Sequence, residues 1–114
     1  MKAVVTSSAG ALALLVLAAC ATSPTGRTQL MVFPESSAIA ASRTAYSEML
    51  TPLAEENKLD TDPALKRRVD GIVERIKVQA IAMRPDTRDW NWEMTVIEDP
   101  KTVNAWAMAG GKMA

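Results

Sequence analysis

Few residues in this chain could begin a reaction. The 114 residues include no histidine and one cysteine, Cys20. Beyond that cysteine the strong metal-ligand side chains are carboxylates, a poor donor set for zinc, which prefers nitrogen and sulfur. Two carboxylate groups sit close together in sequence, Glu55-Glu56 and Asp60 with Asp62. Such a pair can act as general acid and base when its surroundings push the two pKa values apart. Here both groups lie in or beside a polar connection, where carboxylates are usually solvated. The serines near Ser36 have no histidine to activate them. Gly110-Gly111-Lys112 lacks the Lys-Ser/Thr pairing of a phosphate cradle, and its glycines suit the positive φ of a tight connection instead. Lys66-Arg67-Arg68 would suit lipid headgroups, but with Asp70 and Glu74 as neighbours it reads as the solvated face of a helix.

The bulk charge adds an exclusion. Thirteen basic residues balance thirteen acidic ones, so no large field draws in nucleic acid, and nucleic-acid binding is disfavoured.

The start of the chain accounts for the cysteine. Met1-Lys2 is a short positive start, Thr6, Ser7 and Ser8 follow, and an apolar stretch runs from Ala9 to Ala19. Eleven residues rising ~1.5 Å each fall short of a hydrocarbon layer about 30 Å thick, so residues 1–19 are expected to be a signal peptide and not a membrane span. Leu17-Ala18-Ala19-Cys20 resembles the bacterial lipobox. That resemblance implies lipid attachment at Cys20, several acyl chains that together anchor stably, and, with Ala21 and not Asp next, the periplasmic face of the outer membrane. An ordinary signal peptide that leaves Cys20 a free thiol is the alternative.

The elements that must position any site follow from turn chemistry and periodicity. Residues 20–33 contain the turn formers and polar groups of a tether. Pro34-Glu35-Ser36-Ser37 reads as a helix start, and Ile39, Ser42, Tyr46, Met49 and Leu53 recur at helical spacing. Pro52 should kink or end that helix. Asp62 is placed to cap a second helix with Pro63 at its first position. Its apolar stripe is Leu65, Val69, Ile72, Val73, Ile76, Ala80 and Met83. After a loop at 84–89, Trp90, Trp92, Met94 and Val96 alternate with polar residues, which predicts a strand with one buried face. Residues 98–101 form a turn, and 103–108 rises again as β before Gly110-Gly111. The predicted class is α+β: two amphipathic helices, then the first strands of a small sheet.

Three stretches in this order resemble a known family. They are Pro24 to Leu30 after the lipobox, the Asp-Pro-Ala-Leu helix start at Asp62, and Trp92 to Ile97 followed by Val103-Asn104-Ala105-Trp106-Ala107-Met108-Ala109-Gly110-Gly111-Lys112. Together they are similar to the periplasmic lipoprotein branch of the HtpX-like, CAAX-prenyl-protease-related zinc metallopeptidases, over about residues 24–114. Asn-Ala-aromatic-Ala-x-x-Gly-Gly is the most specific element, and Ala109 departs from it where proline is common.

The resemblance implies that residues 34–114 are the leading part of a zincin-like peptidase domain. A His-Glu-x-x-His helix would supply zinc ligands and a general base in the full-length family, and none of those residues occurs here. The expectation is therefore an amino-terminal fragment with no catalytic residue and no bindable metal of its own. Its intact form would be a membrane-anchored endopeptidase acting on envelope proteins. The alternative is a non-catalytic lipoprotein binding module of the bacterial envelope. In the family, Asn104, Ala105, Trp106 and Ala107, with Gly110 and Gly111, belong to strands lining the cleft, where an extended substrate adds to a sheet edge. Trp106 either walls a side-chain pocket or packs in the core, and Asn104 either orients that edge or stabilises a turn.

Overall fold

The computed structural model describes residues 20–23, 25–30 and 32–114, so the signal peptide expected over residues 1–19 lies outside the described residues. The chain divides into two units between Pro34 and Glu35. In the first, β1 (Cys20–Thr22) pairs antiparallel with β2 (Thr28–Leu30), Cys20 opposite Leu30 and Thr22 opposite Thr28. The turn formers of the tether close this hairpin. The Ser23 amide donates to the Arg27 carbonyl at 2.7 Å, the Ser23 hydroxyl accepts from the Arg27 amide at 3.0 Å, and Gly26 takes a φ of 81°.

The second unit opens with α1 (Glu35–Glu55). Pro52 lies inside this helix, near its end, where it costs one hydrogen bond without preventing a final turn. The helix stops on a Schellman arrangement. Asn57 takes a positive φ of 54°, the Lys58 amide donates to the Leu53 carbonyl at 2.9 Å, and the Asn57 amide to that of Ala54 at 3.0 Å. α2 (Pro63–Met83) starts as its sequence dictates: Asp62 Oδ1 accepts from the Ala64 and Leu65 amides at 2.8 and 3.0 Å, and Pro63 needs no partner for an amide it lacks. The loop expected at 84–89 is a short 3-10 turn, Pro85–Asp89.

Three two-residue strands complete the unit: β3 (Glu93–Met94), β4 (Ala107–Met108) and β5 (Lys112–Met113). Their order is β3-β5-β4, with β3 parallel and β4 antiparallel to the central β5. Two helices followed by a small mixed sheet make this an α+β protein.

Four local expectations need correction. The stripe of α1 holds at Ile39, Ser42, Tyr46 and Leu53, which are buried or half-buried, but Met49 is exposed and its neighbour Leu50 is buried instead. The predicted strand 90–96 shrinks to two residues, and its polar member Thr95 is buried, because its hydroxyl meets the Tyr46 hydroxyl at 2.7 Å. The β run expected from 103 pairs only from Trp106 to Met108, and Val103 is fully exposed.

The stripe of α2 departs furthest. No residue of that helix is buried. Leu65, Ile72, Ile76 and Met83 are 43%, 40%, 53% and 66% exposed, whereas Val69, Val73 and Ala80 are half-buried beside Lys66, Asp70 and Lys77. Lys66 fixes this rotation. Its ammonium donates to Asp70 Oδ1 at 2.6 Å and to the Met94 carbonyl on β3 at 2.9 Å, which turns a charged flank of the helix inwards.

Candidate functional site

The site begins with a turn that only glycine can make. Gly110 and Gly111 both sit at φ 81°, and they carry β4 into β5. A Cβ on Gly110 would lie 2.9 Å from Ile39 Cγ2 of α1, and one on Gly111 would lie 2.9 Å from Trp92 Cδ2 and 3.2 Å from the Trp92 Cα. The turn is therefore pressed between helix and sheet, and this close approach seats β5 in the middle of the sheet. Both glycines are buried and hold the hairpin in place.

The two outer edges of the sheet differ. Beyond β3 the backbone is already engaged. Lys66 binds the Met94 carbonyl, Asp60 Oδ1 accepts from the Val96 amide at 2.8 Å, the Asp60 amide donates to the Val96 carbonyl at 2.8 Å, and Leu59 bridges to Ile97. A lysine and a paired loop are the usual devices for closing a sheet edge. On the other side, Trp106 and Ala114 exchange both of their backbone hydrogen bonds, at 2.9 and 3.0 Å. Antiparallel alternation then aims the Ala107 amide and carbonyl away from β5, towards solvent. Asn104, Ala105 and Ala107 are exposed along this edge, and Asn104 Oδ1 accepts from the Ala105 amide at 2.9 Å. Trp106 points the other way, edge-on to the Tyr46 ring at 5.7 Å and 76°. That contact is packing between sheet and α1.

Under the hairpin lies a charged pair that local sequence does not reveal. Lys112, only 4% exposed, donates to Glu93 Oε2 at 2.6 Å, and its ammonium stands 5.6 Å from the centre of the Tyr46 ring. The Tyr46 hydroxyl also donates to the Met113 carbonyl at 3.1 Å. Burial pushes the Tyr46 phenol above its ordinary pKa, although the Thr95 hydrogen bond pulls the other way. These groups wall a groove of about 520 Å³ between α1 and the sheet, with Arg43, Leu50 and Asp60 on its rim. Its lining is mixed and its charges are mutually opposed, which suits water or an extended backbone better than a small ion.

The far end of the unit is held by Arg84. Its guanidinium binds both oxygens of Glu35, at 2.9 and 3.0 Å, pairs with Asp86, and lies 5.5 Å from the Trp90 ring centre. Arg84 holds the Asp86 carboxyl below its ordinary pKa by hydrogen bonding. Trp92 donates its indole N–H to the Thr87 carbonyl at 2.8 Å.

The structure thus gathers Asn104, Ala105 and Ala107 on one open edge, puts Trp106, Gly110 and Gly111 beneath it, and leaves Cys20 in the other unit, where its backbone is in β1. Among the described residues no three His, Cys, Asp or Glu side chains converge on one point. Glu93, Lys112, Tyr46 and Thr95 escaped sequence reasoning because their partners are up to 67 residues apart. The one local hint was a lysine placed directly after the glycine turn.

No family model matches the chain, and neither a curated protein nor a solved structure matches it.

Proposed function

We propose that residues 34–114 are the leading part of a zinc metalloendopeptidase domain that cleaves proteins of the bacterial envelope, anchored through lipid on Cys20 at the periplasmic face of the outer membrane. The role assigned to these residues is to hold an extended substrate along β4, not to cleave it. The observation that carries the proposal is the asymmetry of the sheet. β3 is closed by Lys66 and by the 58–60 loop, while the Ala107 amide and carbonyl face away from β5 and meet no hydrogen-bond partner among the described residues. An extended peptide can add there as a further strand, with main-chain hydrogen bonds supplying affinity. Asn104 and Ala105 precede that strand on the same edge, and they belong to the Asn-Ala-aromatic-Ala-x-x-Gly-Gly stretch that bears the resemblance. The chemical step itself is assigned to a His-Glu-x-x-His helix outside these residues.

The test is genetic and direct. Reading the gene past the codon for Ala114 is expected to give β-prone sequence, a helix and His-Glu-x-x-His within some tens of codons. A stop codon there, in this gene and in intact relatives alike, with no such motif in any downstream frame, refutes the proposal. A second reading, a non-catalytic binding module, draws on the same open edge, which can take up an extended peptide without any catalytic residue. It predicts the stop codon together with retention of extended peptides by the purified protein.

A further inference from the structure

The outward face of α2 combines two features that sequence alone had kept apart. Leu65, Ile72, Ile76 and Met83 form an exposed apolar stripe, 40–66% accessible, along about 27 Å of helix. Arg68 and Arg75, seven residues apart and both exposed, run along one flank of it. Among the described residues, neither they nor Arg67 form an ion pair, while the acidic residues of the helix are taken up by Lys66–Asp70 and Lys77–Glu74. The charge is segregated. α2 carries five basic and two acidic side chains, whereas residues 35–62 carry two basic and six acidic. The chain is neutral overall, yet this helix is a positive element with an apolar seam.

From this we propose that α2 docks flat on an anionic lipid surface, its stripe among the upper acyl segments and Arg68 and Arg75 on headgroup phosphates. An apolar face of this width, bordered by arginines whose stems can lie along apolar material, is the signature of a helix that lies in the interface. α2 is not a membrane span: no helix among the described residues is long and apolar enough to cross. A second copy of the chain is a worse occupant. Antiparallel pairing of two stripes would match Leu65 with Met83 and Ile72 with Ile76, but it would set the Arg68–Arg75 flank of one helix against the same flank of the other, and like charges there repel. A phosphate-bearing surface removes that repulsion. Of the Lys66-Arg67-Arg68 run, Lys66 turns inwards and Arg67 and Arg68 stay exposed; the apolar stripe beside Arg68 gives that arginine its meaning. This inference stands apart from the peptidase proposal and survives its failure.

The experiment uses the full 114-residue chain with Cys20→Ser, so that an environment-sensitive fluorophore can be attached at one thiol, either Ile76→Cys in the stripe or Glu74→Cys on the opposite side. Vesicles of phosphatidylcholine with one third phosphatidylglycerol are expected to shift the label at 76 to shorter wavelength and leave the label at 74 unchanged, with little effect from pure phosphatidylcholine. Association through residues 1–19 would not distinguish the two positions. Arg68→Glu with Arg75→Glu, labelled at 76, is expected to weaken partitioning at least about tenfold. Equal responses at 74 and 76, no loss on charge reversal, a label at 76 already shielded in dilute vesicle-free solution, or shielding that grows with protein concentration alone would each overturn the proposal.

Discussion

Gly111 is the position where a single methyl group should be most costly. Its φ of 81° alone penalises any L side chain by about 1–2 kcal/mol. The new Cβ would also press on Trp92 at 2.9 Å from Cδ2, 3.0 Å from Cε3 and 3.2 Å from Cα. The ring cannot swing clear without giving up the 2.8 Å hydrogen bond from its indole to Thr87, and the Cα cannot move without shifting β3. Overpacking of this kind adds about 1–3 kcal/mol, so Gly111→Ala is expected to cost about 2–5 kcal/mol in all. Gly110→Ala shares the φ penalty but meets the Cγ2 of Ile39, a side-chain end that can yield, and should cost about 1–2 kcal/mol. Gly71 is the control: it lies in mid-helix with nothing within 4 Å of a Cβ, so Gly71→Ala should stabilise by about 0.5–1 kcal/mol. Urea titration followed by far-ultraviolet circular dichroism and tryptophan fluorescence reads all three. With a slope of about 1–3 kcal/mol per molar for a domain of this size, Gly111→Ala should lower the midpoint by about 1 M or more. Placing it in the Gly71→Ala background gives headroom. Equal midpoints for Gly110→Ala and Gly111→Ala, or a parent-like Gly111→Ala, would refute the claim that backbone proximity to Trp92 sets this turn.

Three further outcomes are expected. Glu93→Ala strands the buried Lys112 ammonium and should cost about 2–3 kcal/mol, a figure reduced because Glu93 itself is half exposed, whereas Lys112→Met removes the charge with it and should be nearly neutral in the same titration. Tyr46 has a raised pKa, so the unfolded chain loses that proton first, near about pH 10, and the stability held below that pH drains away as pH rises towards the folded-state value. Thermal melts between pH 8 and 11 should show this alkaline loss in the parent and a shallower one in Tyr46→Phe. Tyr46 and Leu50 are the buried hydrophobic side chains among the described residues, so calorimetry of the chain should show a weak, broad transition; a sharp two-state melt near about 60 °C, usual for intact domains, would contradict that expectation.

The polar devices closest in sequence were the easiest to foresee. Asp62-Pro63 starts α2 because the carboxylate, the missing amide and the fixed φ of proline all act within three residues. Gly110-Gly111 turns the chain because glycine alone takes φ of 81° freely. The α+β class also followed from the switch between helical and alternating periodicity. Periodicity marks which residues share a face but not what that face will meet. The apolar row of α2 is real, yet the helix is turned by Lys66 reaching the Met94 carbonyl, and half the row is left outside. Thr95 lies on the polar phase of its strand and is buried all the same, since a tyrosine 49 residues earlier offers its hydroxyl.

By itself the sequence determined the Asp62 cap, the Gly110-Gly111 turn, the class and the charge segregation, the first two through contacts within about one turn of chain. Tertiary structure alone decided which sheet edge is closed, that Lys112 is buried against Glu93, and that an apolar stripe with an arginine border faces outwards. Those outcomes depend on pairings between residues far apart in sequence, where a few hydrogen bonds to charged groups outweigh a rotation of the apolar face.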